Sequence, residues 1–439
     1  MTDFVIFYEH RTRELESVCL LKEELRNRGY CVRVANTLFW RAFSTFLFYR
    51  PKVLVVPWLY GDQEVAFFNR FPVPVRKIVN LQCEQIYTPH DREDPKIYPQ
   101  GEAKKAFHIC WGKKEKEYLS EAGIPKNKLL LTGSISMDID RPMFHSFFMS
   151  RHELAQKYRL DEASPWNLFI SSFSYVGLSE ERLHEIEQVF PFAFELEDIS
   201  GKTRSILLKW FEKYAVSHPE TIFIYRPHPS ERQDSELTAL ACRIRNFRVI
   251  SGESVRQWIF CCDKINNWYS TSINDVCFLG KNSSTLRPVP IRSSMDNEEL
   301  VQERFITTYE EFEQFNESER KGSSDELVRV VRQYYRYDEV PAYIRVADSL
   351  ERILQSDCGE DFSHCKGSLR IDPLWKRARM ACFVWFCIHV PIAAGLIHSG
   401  RRTPYAERIR KECQGIRSEY KEISRKIRRI LDGNRRRCR

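Results

Sequence analysis

Apolar positions along this chain follow two rhythms. Short unbroken runs rich in β-branched and aromatic residues, such as Phe4–Tyr8 and Val53–Val56, alternate with stretches in which apolar side chains recur every three or four positions. The first rhythm predicts strands buried on both faces and the second predicts amphipathic helices. Through residues 1–140 the predicted strands are Phe4–Tyr8, Cys31–Val34, Val53–Val56, Lys77–Leu81, His108–Trp111 and Leu129–Leu131. Leu15, Val18, Leu21 and Leu25 mark a helix from Glu14 to Arg28, which Gly29 closes. A second series follows a connecting helix at His152–Tyr158. Its predicted strands are Trp166–Ser171, Ile222–Tyr225, Phe247–Ile250, Asn267–Tyr269 and Val289–Ile291, with helices at Arg204–Ser217 and Ser254–Cys262. Strands separated by helical patterns imply parallel sheets with right-handed crossovers. The expectation is an α/β protein with two Rossmann-like domains facing a cleft, at 1–140 and 141–345. A connector over 346–375 and a C-terminal region over 376–439 complete the chain.

The C-terminal region breaks both rhythms. Met380 to Gly400 is a 21-residue stretch without Asp, Glu, Lys or Arg, flanked by Arg377, Arg379, Arg401 and Arg402. It is long enough to span a bilayer, but His389, Pro391 and two late glycines equally suit an interfacial segment or a buried helix. Beyond it Ile409, Cys413, Ile416, Tyr420, Ile423, Ile427 and Ile430 alternate steps of four and three, a heptad seam on a basic helix. Such a helix suits an anionic membrane surface, a second copy of the chain through the 409–430 seam, or packing on its own body.

Charge separates this tail from the rest. Residues 400–439 hold fifteen Lys/Arg against five Asp/Glu, a net of +10, while the whole chain is +8, so residues 1–399 carry a net of −2. Only Tyr405 and Tyr420 supply aromatic rings to the tail, which ranks nucleic acid last among partners. Fourteen cysteines are scattered without a Cys-x-x-Cys pair, and Cys358, His364 and Cys365 are the one loose metal-like group. No metal is expected. The opening apolar run lacks a basic leader and reads as a first strand, so the expected setting is cytoplasmic with reduced thiols.

Candidate chemistry gathers where predicted strands end. Open parallel sheets bind ligands at the carboxyl edge of their strands. Ile222–Tyr225 runs into Arg226-Pro227-His228-Pro229-Ser230-Glu231. Arginine offers a planar fork for phosphate, and histidine a hydrogen bond or a proton. Asn267–Tyr269 runs into Ser270-Thr271-Ser272 before a helix, a hydroxyl-bearing start that suits an anion. Ser171 and Ser172 end another strand where a donor phosphate could sit. In the first half Gln82-Cys83-Glu84-Gln85 follows a strand, and Glu14 sits in the first strand–helix connection; either carboxylate could deprotonate a hydroxyl. Asp138 and Asp140 read as turn residues near the domain junction. Neither a Walker loop nor a dinucleotide glycine fingerprint occurs.

In their order these residues resemble a known family. Thr12-Arg13-Glu14-Leu15-Glu16, Gln82-Cys83-Glu84-Gln85, Trp111-Gly112, Leu131-Thr132-Gly133-Ser134 with Asp138, Tyr225 through Glu231, and Ser270-Thr271-Ser272 are similar to stretches of bacterial surface-carbohydrate biosynthesis proteins. The resemblance covers roughly residues 1–345. More distantly, the His-Pro and Ser/Thr segments resemble GT-B sialyl-, polysialyl- and Kdo transferases and CDP-glycerol glycerophosphotransferases. The resemblance implies donor-phosphate contacts for His228, Ser270, Thr271 and Ser272, and a base role for Glu84 or Glu14.

The expected activity is therefore a metal-independent GT-B glycosyltransferase without a tightly bound cofactor. It would move a sugar or polyol-phosphate from a nucleotide-activated donor, CMP-linked in most of these relatives, to a surface polysaccharide, capsule or lipid-linked glycan acceptor. Its catalytic residues would be His228, Glu84 and Glu14, with Arg226, Ser171, Ser172, Glu231 and Ser270–Ser272 binding nucleotide phosphate. It would sit peripherally at the inner membrane face. A nucleotide-sugar epimerase and a non-catalytic membrane-associated scaffold are the alternatives.

Overall fold

A computed structural model of the chain describes residues 2–38, 45–46, 48–232, 235–301, 305–319, 322–365, 382–385, 387–388, 409 and 412–437. It divides into two compact units. The first comprises Met1–Gln85, Asp94–Phe147 and Arg332–Arg439; the second comprises Ile86–Glu93 and Phe148–Val331.

Strands β1 (Thr2–Tyr8), β2 (Val32–Asn36), β3 (Pro51–Val56), β4 (Ile78–Asn80), β5 (Phe107–Cys110) and β6 (Leu129–Leu131) form the sheet of the first unit. Their spatial order is β2-β1-β3-β4-β5-β6 and every pairing is parallel, with Ile6 in register with Val34 on one side and Val55 on the other. Phe4, Val5, Ile6 and Phe7 are wholly buried, as an unbroken apolar run requires of a strand covered on both faces. Helix α1 (Arg11–Asn27) follows β1 and buries Leu15, Val18, Leu21 and Leu25.

The second unit repeats the plan. Strands β7 (Trp166–Ile170), β8 (Ile222–Arg226), β9 (Phe247–Val249), β10 (Lys264–Asn267), β11 (Asn282–Leu286) and β12 (Phe305–Ile306) lie in the order β12-β11-β10-β7-β8-β9, again all parallel. Helix α2 (Ala193–Ser217) lays Phe211 on this sheet, 4.7 Å from the ring centre of Phe169 and 4.7 Å from that of Phe223. Helix α3 (Ile273–Phe278) follows β10.

Two strand expectations need correction here. The strand placed at Asn267–Tyr269 lies at Lys264–Asn267, and that placed at Val289–Ile291 lies at Asn282–Leu286. Both true strands are polar in sequence yet buried. Part of this polarity is satisfied by side-chain bonds: Ser284 Oγ donates to Asn266 Oδ1 at 3.0 Å, and Asn266 Nδ2 donates to Asn316 Oδ1 at 3.0 Å.

The second domain was expected to run to 345, but Arg332 already belongs to the first unit. The returning chain fits a notch cut by two glycines. A Cβ on Gly112 would meet Gln333 O at 2.3 Å, and one on Gly133, whose φ is +91°, would meet Arg336 O at 2.5 Å. Arg336 N donates to Trp111 O at 2.6 Å, and the Trp111 and Tyr335 rings stack at 5.5 Å. Helix α4 (Ala342–Gln355) then packs on α1, its Tyr343 N–H donating to Asp138 at 2.7 Å. Trp111-Gly112, Thr132-Gly133 and Asp138, singled out from the sequence, thus seat the return of the chain.

Helix α5 (Ile416–Arg437) packs lengthwise on α1. Ile416, Ile423 and Ile427 of the heptad seam are buried, and Lys22 of α1 lies 4.7 Å over the Tyr420 ring. Buried Glu23 accepts from Arg428 at 3.1 Å and Glu24 from Arg435 at 3.1 Å. The seam is therefore occupied by the chain's own first helix. An oligomer through residues 409–430 would have to displace it. Of Met380–Gly400, all but 382–385 and 387–388 lie outside the described residues; Phe383, Val384 and Cys387 are buried with Ile409 and Cys413. Among the described residues, no helix is long and apolar enough to cross a membrane.

Candidate functional site

In the second unit the strand order reverses direction between β7 and β10, the switch point at which open α/β sheets form a ligand crevice. Ser171 and Ser172 follow β7 directly, and Ser270–Ser272 follow β10. The His228 segment follows β8, on the other side of β7. With strands spaced about 4.8 Å apart, the ends of β8 and β10 lie on the order of 10 Å from one another. One sheet edge thus carries all three predicted phosphate segments.

The side chains divide by task. Glu231 is a buried acceptor: it takes the Tyr225 hydroxyl at 2.6 Å, the His228 backbone N–H at 3.1 Å and the Ser171 hydroxyl, with Arg204 of α2 3.9 Å away. A carboxylate so placed braces the His228 loop and opposes, by its charge, a phosphate beside it. Ser171, 2% exposed, is absorbed into the same network, leaving Ser172 as the more accessible hydroxyl. Arg226 is also drawn away, its fork donating to the carbonyls of Gly252, at 3.2 Å, and Glu253. Burial lowers its pKa, so its charge is held in a poorly solvated place.

His228 is exposed. Its Nδ1 accepts the backbone N–H of Ser230 at 3.1 Å. That bond puts the proton of the neutral ring on Nε2, so the outer nitrogen is a donor. At the β10 edge Ser270 Oγ accepts the Ser272 N–H at 3.3 Å, and α3 begins one residue later. Asp275 in its first turn pairs with Arg256 at 2.7 Å, which offsets a carboxylate that would otherwise oppose an anion there.

The first unit has its own reversal, between β1 and β3. A cavity of about 290 Å³ opens there, lined by residues that follow β1 (Glu9, His10, Arg13 and Glu14), β3 (Pro57, Trp58 and Tyr60) and β4 (Cys83 and Glu84). Both predicted carboxylates line it, in unlike states. Glu14 is 6% exposed and accepts the N–H groups of Glu9 at 2.8 Å and His10 at 3.2 Å. Burial lifts its pKa above the usual carboxylate range, against the pull of those two bonds. Glu84 is more than half exposed, 3.8 Å from Arg13.

The loop carrying Glu84 is held in a special geometry. Gln82 has a left-handed backbone, φ +46°, uncommon for a residue with a side chain. Side-chain bonds hold it: Gln82 Nε2 donates to the Tyr60 hydroxyl at 3.1 Å and to Glu84 O at 3.2 Å, and its Oε1 accepts from Asn80 at 2.9 Å. Gln85 adds bonds to Ile109 O at 2.8 Å and from Trp111 N at 2.8 Å.

Five cavity residues were missed from the sequence: Glu9, His10, Pro57, Trp58 and Tyr60. Trp58 Nε1 donates to Glu9 at 2.6 Å, joining the two strand ends. Glu9 and His10 directly follow β1, so the strand-edge rule that found Glu84 would have found them too.

No family profile and no curated protein sequence matches this chain. Solved structures do match. A UDP-N-acetylglucosamine 2-epimerase aligns over 80% of this chain and 96% of its own, with a TM-score of 0.51 at 12% identity. The UDP-GlcNAc 2-epimerase from Neisseria meningitidis bound to UDP-GlcNAc aligns over 80% and 100%, at 0.50 and 13%. A variant of the wall teichoic acid polymerase TagF aligns over 81% and 89%, at 0.46 and 10%. At such identities the likeness is one of fold. This chain has a GT-B-type α/β fold of two parallel-sheet units with a helical C-terminal region.

Proposed function

We propose that this protein is a GT-B sugar-modifying enzyme, and specifically a transferase that takes a sugar or polyol-phosphate from a nucleotide-activated donor to a surface-glycan or lipid-linked acceptor. The observation that carries the reading is the switch-point edge of the second unit, where Ser172, His228 and Ser270–Ser272 follow three adjacent strands. Fixed donors facing a departing phosphate lower the barrier to such chemistry more than any other single effect, by about 3–4 kcal/mol for one good donor.

The donor half of the reaction belongs to the second unit. His228 donates from Nε2 to the leaving phosphate, and the hydroxyls of Ser270–Ser272 take further phosphate oxygens. Glu231 and Arg226 act as positioning residues. The acceptor half belongs to the cavity of the first unit, whose Trp58, Tyr60 and carboxylates suit a polyhydroxyl ligand. Glu84 takes the proton of the acceptor hydroxyl. The acceptor oxygen bonds to the transferred group as its bond to the donor phosphate breaks, and the nucleotide leaves with that electron pair. A CMP-linked donor is the first candidate, and the work is placed at the inner membrane face.

The epimerase reading is the second, favoured by the likeness in fold to two epimerases. One experiment separates the readings. The full chain is melted with CMP, CDP, UDP or GDP, then incubated with sugars linked to the nucleotide that stabilises it, with and without a glycan acceptor. A saturating nucleotide at a hundred times its Kd adds about 2.7 kcal/mol of stability. Nucleotide binding with acceptor-dependent release of nucleotide supports the transferase. Epimerised or free sugar without acceptor replaces it with the epimerase. A flat response to all four nucleotides leaves the scaffold and overturns both.

A further inference from the structure

Helix α5 presents two faces of different chemistry. Ile416, Ile423, Ile427 and Leu431 are buried against the body of the first unit. Among its basic residues, Arg428 and Arg435 reach Glu23 and Glu24, and Lys426 pairs with Glu422 at 3.3 Å. Arg417, Lys421, Arg425 and Arg429 do otherwise: all four are exposed and make no ion pair among the described residues. They recur every fourth position, so they form one stripe about 18 Å long at 1.5 Å rise per residue. Like charges at i and i+4 repel and destabilise a helix. Among the described residues, no ion pair offsets these three successive pairs.

We propose that this stripe is an electrostatic docking surface for an anionic lipid bilayer. Three observations favour lipid over other polyanions. The helix is backed along its length by α1, so it presents one straight charged edge, which suits an extended planar surface. Its aromatic ring, Tyr420, faces Lys22, so the stripe offers no stacking platform for single-stranded nucleic acid. The sequence just before it supplies 21 uncharged residues between arginine pairs, a composition that suits an interface. Because the seam is occupied by α1, the contact made by α5 is one of charge without insertion. The inference does not depend on the catalytic reading.

The test is flotation of the full chain with vesicles of phosphatidylcholine alone, or of phosphatidylcholine mixed with phosphatidylglycerol. The wild type is expected to float with the anionic vesicles only and to be released as salt shortens the screening length from about 10 Å at 0.1 M to about 3 Å at 1 M. The R417Q/K421Q/R425Q/R429Q variant loses roughly fivefold in partitioning for each charge removed. Its melting temperature does not fall, since the repulsion is relieved. Equal flotation on phosphatidylcholine alone, salt-insensitive binding, or wild-type binding by the quadruple variant overturns the proposal. So does retention by double-stranded DNA or RNA without flotation.

Discussion

The carboxylate of Glu231 accepts the backbone N–H of His228 at 3.1 Å, so the residue proposed to grip a departing phosphate is held by an acid that never needs to touch it. The same carboxylate satisfies the buried Tyr225 hydroxyl. Replacing Glu231 with Ala takes this acceptor from those donors and removes an anion 3.9 Å from the Arg204 guanidinium, at a cost of about 3 kcal/mol. His228→Ala changes an exposed side chain, and its effect on stability stays within about 0.5 kcal/mol. Thermal unfolding and turnover together check the contrast. Glu231→Ala lowers both, whereas His228→Ala lowers turnover alone. Wild-type turnover in His228→Ala removes it from the mechanism.

Glu84 and Glu14 line one cavity but are predicted to fail differently. Glu84→Gln keeps the size of an exposed side chain and removes a base, so turnover falls about 10²–10⁴-fold with melting unchanged. Glu14→Ala takes an acceptor from two N–H groups at the start of α1 and lowers stability by about 1–2 kcal/mol. Steady-state kinetics beside a melting curve for each variant decides the assignment; a Glu84→Gln enzyme with normal kcat would return the base role to another cavity carboxylate.

Acid sensitivity should trace in part to His108. Complete burial pushes its pKa down to about 4, and the neutral ring is bonded to Ala103 O at 3.0 Å and faces Asn80 Nδ2 at 3.3 Å. The unfolded chain binds this proton near pH 6.5, while the folded chain resists it until about pH 4. Stability therefore falls as pH drops through that window, by on the order of 3 kcal/mol in total. Chemical denaturation at a series of pH values should show a slope that flattens in His108→Gln. An identical slope in the variant would assign the effect to other groups.

The C-terminal helix is predicted to be a structural part of the first unit. Ile427 is wholly buried, and Ile427→Ala should cost about 2–4 kcal/mol. Hydrogen exchange should then rise in α1 and β1 and stay unchanged in β7, β8 and β10. Uniform loss of protection across both units would mean that the two do not unfold separately.

Strands with unbroken apolar runs were legible from the chain alone. Phe4–Tyr8 and Ile222–Tyr225 fall within one or two residues of β1 and β8. Polar strands were not. Asn282–Leu286 reads as loop until Asn266 is seen to satisfy Ser284 across the sheet. The site was legible to the same extent. Placing chemistry at strand ends picked out Glu14 and Glu84, which line one cavity, and His228 and Ser270–Ser272, which follow strands of one sheet, and it could equally have picked out Glu9 and His10. What no local rule reveals is the partner of each side chain, and partnership is what sets Arg226 and Glu231 apart from His228.

Periodicity of apolar residues determines which segments become strand or helix, because burial on both faces demands an unbroken run and burial on one face demands a stripe. It thereby determined two parallel α/β halves and the strand ends along their carboxyl edges. Tertiary structure alone decided that the chain returns to its first unit at Arg332, that the heptad seam closes on α1, and that one buried carboxylate is a brace while another, half exposed, lines a cavity. The first two rest on contacts between residues hundreds of positions apart, and the third on partners that periodicity does not name. Their free energies depend on which groups lose water together, and that is a property of the folded arrangement that local pattern does not carry.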